Sequence, residues 1–181
     1  MNTIITILLV VAGIIAIPLI LALFMKREHY VKREIIINAP RQTVFDYLKL
    51  LKNQDEFNKH AMAGPDRKRE FKGTDGTVGY IYAWSGNKNA GVGEKEIKNI
   101  IEGKRIETEI RFVKPMVAIA HMIMETESLS NPHNYQDQTK VYWSNAGTLK
   151  YPLNIMIPMV EKSVAKDMDI SLSTLKNILE K

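Results

Sequence analysis

Residues 157–179 read IPMVEKSVAKDMDISLSTLKNIL, and this stretch decides the fold. Ile157, Val160, Val164, Met168, Leu172, Leu175 and Leu179 recur every three or four residues. That period puts them on one face of a single long helix. A helix with one apolar stripe must bury it against another element, and the residues upstream supply that element.

Working back, residues 139–148 read as a strand with Val141 and Trp143 inward, after a polar loop at 131–138. A long apolar strand at 117–129 carries Ala120, Met122 and Met124 on one face. Residues 105–113 alternate most cleanly: Ile106, Thr108, Ile110 and Phe112 face one way, and Glu107, Glu109 and Arg111 the other. Further strands are predicted at 90–100, at 79–85 with Tyr80, Tyr82 and Trp84 on one face, and at 66–72. Glu102-Gly103, Gly86-Asn87-Lys88-Asn89 and Gly73-Thr74-Asp75-Gly76 supply the turns between them.

A first strand at 30–37 stops at Asn38-Ala39-Pro40, where a helix begins with Val44, Phe45, Tyr47, Leu48 and Leu51 on one side. A second short helix at about 54–62 ends at Gly64-Pro65. The short turns call for an antiparallel meander, and only the terminal helix is long enough to cover it. The expected fold is α+β: a curved, seven-stranded antiparallel sheet wrapped around a long C-terminal helix, with two short helices after the first strand. An interior space between sheet and helix is where a ligand would sit.

The N-terminus is different in kind. From Ile4 to Met25 there is no charged residue, and the run stops at Lys26-Arg27. As a helix it would be roughly 33 Å long, enough to cross a hydrocarbon core of about 30 Å. It is too long for a secretory signal and its exit offers no small-x-small cleavage pair, so it reads as an uncleaved anchor. The predicted organisation is a transmembrane helix at 1–25, a short basic linker at 26–29 and one domain at 30–181. Lys26, Arg27, Lys32 and Arg33 follow the span, which places a single-pass protein with its C-terminal domain in the cytoplasm.

The chain has no cysteine, which excludes disulfides, thiolate catalysis and zinc–thiolate sites. Its net charge of +5 is dispersed, and Arg67-Lys68-Arg69 is its one compact basic cluster. A solvated surface beside an anionic membrane accounts for that balance better than nucleic-acid binding.

Several segments, in this order, carry a family resemblance. They are Ile35-Ile36-Ile37-Asn38-Ala39-Pro40 with Val44-Phe45, Gly76-Thr77-Val78-Gly79, Trp84-Ser85-Gly86-Asn87, and Gly91-Val92-Gly93. Arg105-Ile106, Phe112-Val113-Lys114-Pro115, Thr139-Lys140-Val141-Tyr142-Trp143 and Leu175-Lys176 complete the set. Together they resemble the START-like, or helix-grip, superfamily that includes the birch-pollen-allergen fold. Within it, the chain looks like the polyketide cyclase/dehydrase and lipid-transport (SRPBCC) group. The resemblance implies a hydrophobic cavity for apolar ligands, in a family that contains both binders and enzymes. Where relatives often carry a tryptophan after the first helix, this chain has Phe57-Asn58-Lys59-His60, and the anchor is an addition to the common fold.

The candidate ligand wall is Tyr82, Trp84, Phe112, Met122, Met124 and Trp143, the alternative being an ordinary filled core. His60, near the expected cavity rim, is the catalytic candidate; His121 reads as outward-facing and His133 as a loop residue. No carboxylate or second histidine stands at a sequence spacing that would orient His60. The pairs Glu107/Glu109 and Glu125/Glu127 belong to a hydrated outer face. No HExxH or phosphate-cradling loop occurs, so neither a metal nor a cofactor is expected. The leading reading is membrane-tethered binding of a lipid or other hydrophobic small molecule. A cyclase/dehydrase-type enzyme and a protein-interaction module of the chaperone-associated kind are its rivals.

Overall fold

The structure, a computed structural model, describes residues 2–62, 67–86, 91–129 and 137–181. Helix α1 (Thr3–Phe24) precedes β1 (Glu28–Ile37), α2 (Arg41–Lys49), a 3-10 turn (Leu51–Asn53), α3 (Gln54–Phe57) and α4 (Lys59–Met62). Then come β2 (Lys68–Lys72), β3 (Ile81–Ser85), β4 (Val92–Ile101), β5 (Arg105–Lys114), β6 (Ala118–Leu129) and β7 (Gln138–Thr148). A second 3-10 turn (Leu153–Met156) leads into α5 (Ile157–Leu179).

The seven strands form one antiparallel sheet in the order β1-β7-β6-β5-β4-β3-β2. Six of those strands are a simple meander, and β1 closes on β7 at the far edge. This is the α+β architecture expected, with α5 the covering helix. Differences are local. The second helix, expected at about 54–62, is broken into α3 and α4, because Asn58 leaves helical conformation between them, and a 3-10 turn precedes them. Strand β1 starts at Glu28, so the basic linker shortens to residues 25–27. His29 belongs to the sheet, buried, with Nε2 3.0 Å from Asn145 Oδ1. The turn residues Gly64-Pro65, Asn87-Lys88-Asn89 and the loop carrying His133 lie outside the described residues.

The register fixes the two faces. Tyr82 pairs with Lys95, Lys95 with Ile110, Thr108 with Met122, and Met124 with Trp143. All these side chains therefore share the concave face. A bulge in β4 between Ile97 and Asn99 changes the strand's parity, so that Ile97 and Ile100 both turn inward. Such an extra residue also bends the strand, which helps the sheet curl over the helix. From α5, Met168, Leu172 and Leu175 meet this face, joined by Val44, Phe45 and Leu48 of α2. Each fully buried leucine in that layer stabilises the fold by about 2 kcal/mol.

Helix α1 is apolar on every side and nearly all of it is exposed, Ala22 being its one buried residue. Its end is held by the domain. Asn154 Nδ2 donates to the carbonyls of Ala22 (2.6 Å) and Met25 (3.0 Å), which the helix itself leaves unpaired.

Candidate functional site

The candidate site is the concave face, which carries a small charged cluster on its β3–β4 side and Met122, Met124 and Trp143 on its β6–β7 side. Tyr82, Trp84, Met122, Met124 and Trp143 are buried and pack as members of the hydrophobic core. Phe112 is on the same face but at its edge, 37% exposed, with its ring edge-on to Trp84 at 6.0 Å between centroids. Gly93 is needed here. A Cβ at that position would come within 2.6 Å of the Trp84 ring and 2.7 Å of the Arg111 carbonyl. Glycine lets the indole lie flat across β4. Phe57 fills the near side, its ring edge-on to Trp143 at 6.3 Å.

The charged cluster was not evident in the sequence. Asp55 of α3 accepts a hydrogen bond from the Tyr82 hydroxyl at 2.7 Å and pairs with Arg67 and, at 2.9 Å, with Arg69 Nε. Arg67 Nη2 also donates to the Tyr82 oxygen at 2.8 Å. Thus two members of the basic run expected to be solvated turn onto one carboxylate instead, and Arg67 is buried. Lys95 is buried too, with Nζ donating to Gln54 Oε1 at 2.8 Å and lying 5.2 Å from the centre of the Tyr82 ring.

Desolvation of the ammonium, with the nearby Arg67 charge adding to it, lowers the Lys95 pKa to about 8. Burial, and then the hydrogen bond to Asp55, raises the Tyr82 phenol above its usual value. Tyr80 is pushed up to about 12, mainly by burial. Asp75 opposes the loss of charge on Lys95, but its carboxylate is engaged by the backbone N–H groups of Leu51, Lys52 and Gly76.

The cluster therefore sets two buried cationic side chains, Arg67 and Lys95, and the more exposed Arg69 against the half-buried Asp55. It is also short of acceptors. Gln54 Nε2, Arg67 Nε, the Tyr80 hydroxyl, Thr108 Oγ1 and Trp143 Nε1 are buried without a partner among the described residues. Buried polar atoms are almost always paired, so several unpaired ones spread along one apolar face, with Gln54 Nε2 and Arg67 Nε at the cluster itself, are unusual. An apolar wall with a few polar groups and a perturbed titratable residue is the chemistry of a small-molecule site.

Other expectations fare differently. His60 is exposed on α4, outside this cluster. Its Nε2 lies 3.1 Å from Asp167 Oδ2, and Asp167 also takes Lys59 Nζ at 2.5 Å. That carboxylate is a through-space partner invisible in the sequence spacing, and its contacts pin α4 to α5. His121 is exposed on the convex face, where Glu107, Glu109 and Glu125 pair with Arg105 and Arg111.

Two surface hollows flank the domain. One of about 440 Å³ lies between the start of α2 and the sheet, at Arg41, Lys104, Arg105 and Tyr142. The other, about 300 Å³, is an open groove between edge strand β1 and the first half of α5. Neither is lined by the six wall residues.

No family model matches the chain, and no curated protein matches it in sequence. Solved structures do match it in fold. Truncated norcoclaurine synthase from Thalictrum flavum superposes with a TM-score of 0.62 at 12% identity, over 85% of this chain and 95% of that one. The Aha1 dimer structure from Colwellia psychrerythraea gives 0.54 at 14% identity, over 83% and 96%. Ara h 8.0201 gives 0.53 at 14%, over 82% and 98%. The domain has the helix-grip, START-like fold, preceded by an N-terminal apolar helix.

Proposed function

We propose that this chain is a membrane-tethered binding domain for an apolar small molecule with an acidic head. The apolar body would lie against Tyr82, Trp84, Phe112, Met122, Met124 and Trp143, as wall residues between the sheet and α5. The head would take the unpaired donors beside Lys95 and Arg67. The observation that carries this reading is the cation-rich, donor-rich cluster inside an apolar concave face. The length and hydropathy of α1 support the tether, and the basic residues after it support a cytoplasmic domain.

Both tryptophans of the chain stand in the wall, so their fluorescence reports its occupancy. Full-length protein in phosphatidylcholine nanodiscs would be titrated with a brominated long-chain fatty acid and with the corresponding fatty alcohol. The acid is expected to half-quench at about tenfold lower concentration, equivalent to about 1.4 kcal/mol. Lys95→Met should narrow that ratio. Quenching by neither compound would end the reading; equal quenching would remove the acidic head from it.

One observation favours a second reading, an enzyme of the cyclase/dehydrase kind. An enclosed amine whose pKa is about 8 is suited to moving protons near neutral pH. That role would belong to Lys95 and not to His60, which stands outside the cluster.

A further inference from the structure

One end of the sheet carries an unusual concentration of exposed apolar side chains. The register puts the start of β1, the end of β7 and the β5–β6 turn at that end, since Glu28 pairs with Thr148, Gly147 with Ala120 and Phe112 with Ala118. Val113 at the end of β5 and Val117 in the β5–β6 turn are exposed, Val117 by 83%. Tyr151, Leu153 and Met156 project from the segment joining β7 to α5, and Met159 from the first turn of α5, where it is 60% exposed. Scattered apolar residues on a surface need no explanation, but a rim of them at one end does.

The end of α1 is attached to this same rim. Asn154, between Leu153 and Met156, holds the Ala22 and Met25 carbonyls. Only residues 25–27 separate the helix from β1, a reach of at most roughly 11 Å. Lys26 reaches Glu161 near the start of α5 at 2.6 Å, which fixes the helix end from a second side. Arg27, Lys114 and Lys150 also stand at this end and are exposed, against a single exposed carboxylate among the described residues there, Glu28, besides Glu161, which Lys26 pairs; the remaining positive balance suits an anionic leaflet.

We infer that this rim is a bilayer-docking surface: the β5–β6 turn and residues 151–159 rest in the headgroup region of the membrane that α1 crosses. The inference rests on α1 being a membrane span, as proposed above. A rim pinned within a helical turn of the end of that span meets lipid before any other partner. Its composition, apolar tips among lysines and an arginine, is that of interfacial segments, which sink about 5–10 Å into the headgroup boundary. Trp84 and Phe112 lie at this end of the concave face, so the candidate site would face the leaflet.

The absence of native cysteine allows the test to be made on the full chain. Val117→Cys, Met159→Cys, Ile14→Cys and, at the opposite end of the sheet, Glu102→Cys would each be labelled with an environment-sensitive dye. The labelled proteins would be reconstituted in vesicles of phosphatidylcholine and phosphatidylglycerol. Lipid spin labels near the carbonyl region should reduce dye emission at 117 and 159 by about twofold and leave 102 unchanged, as expected for interfacial insertion, while labels near the acyl-chain end should quench 14, which lies at mid-span. Quenching at 14 with none at 117 and 159 would overturn the docking surface while leaving the span intact. No quenching at 14 would overturn the span, and the docking surface with it. Equal quenching at 102 and 117 would show a domain lying on its side and would overturn the rim as the contact.

Discussion

The sheet carries charge on both faces, and the two clusters obey different physics. On the convex face Arg111 lies 2.7 Å from Glu94 and 2.8 Å from Glu96 and also pairs with Glu109, while Arg105 meets Glu107 at 2.9 Å. Each of these groups keeps part of its side chain in water and none is buried, so their ion pairs are cheap to make and cheap to lose. On the concave face Arg67, Lys95 and Tyr82 are buried beneath α3, while Asp55 is half-buried and Arg69 reaches it from the exposed side. There the dielectric is low, and each charge costs several kcal/mol unless it is paired. A domain that needed only a stable core would do better with apolar residues at these positions. The inner cluster is therefore where function is expected.

The sharpest way to break this contrast is Asp55→Ala. It would leave Arg67 buried without its carboxylate and the Tyr82 hydroxyl without its acceptor, at an expected cost of about 3 kcal/mol in denaturant unfolding. A loss below about 1 kcal/mol, the ordinary value for an exposed pair, would show that the inner cluster is hydrated and that the two faces do not differ.

A smaller effect tests the cluster's cationic surplus. Lys95 has a folded pKa of about 8, against about 10.4 for a free lysine. Between those values the unfolded chain binds more protons than the folded one, so stability rises with pH. Below pH 8 the full penalty of the buried ammonium is present; above it, the penalty is progressively relieved. The native protein should gain about 2 kcal/mol between pH 7.5 and 9.5 relative to Lys95→Met. The window must stop near pH 10. There the raised pKa of Tyr80 acts in the opposite sense, since the unfolded phenol ionises first. Parallel profiles for the two proteins would mean that Lys95 is not buried as a cation.

How much of this was legible follows from the same contrast. A sheet with one wet and one dry face imposes period-two alternation, so 105–113 showed both faces of β5, and the 3–4 spacing of 157–179 showed α5. Lys95 also obeyed that alternation: it stands between Gly93 and Ile97 on the inward parity of β4. The signal was there, but its neighbour Glu96 made the pair resemble surface charge. Asp55 and Arg67 gave no such signal. The Asp55–Tyr82 contact spans 27 positions and depends on where a broken helix comes to rest, which hydrophobic periodicity does not encode. His60 was near the expected rim by sequence, but the breakup of its helix turned it outward toward Asp167. Phe112 was assigned to the correct face; its exposure follows from lying near the end of β5, a matter of length and not of parity.

The smallest expected effect closes the comparison from the other side. Arg111 is the hub of the convex cluster, and its hydrogen bond, followed by that of Lys98, holds the Glu96 carboxyl below its usual range. A depressed carboxylate pKa stabilises above the unfolded value and loses that contribution as pH falls through the folded one. Glu96 and Arg111 both keep contact with solvent, however, so screening discounts most of that gain. Arg111→Ala is expected to cost about 0.5–1 kcal/mol at low salt, and less still in about 1 M salt, where the Debye length falls to about 3 Å. The Asp55→Ala loss should persist at that ionic strength, because salt does not screen a buried pair well. Should the two substitutions cost the same and fade together in salt, the faces would be electrostatically equivalent. The case for a ligand head beside Lys95 would then lose its physical basis.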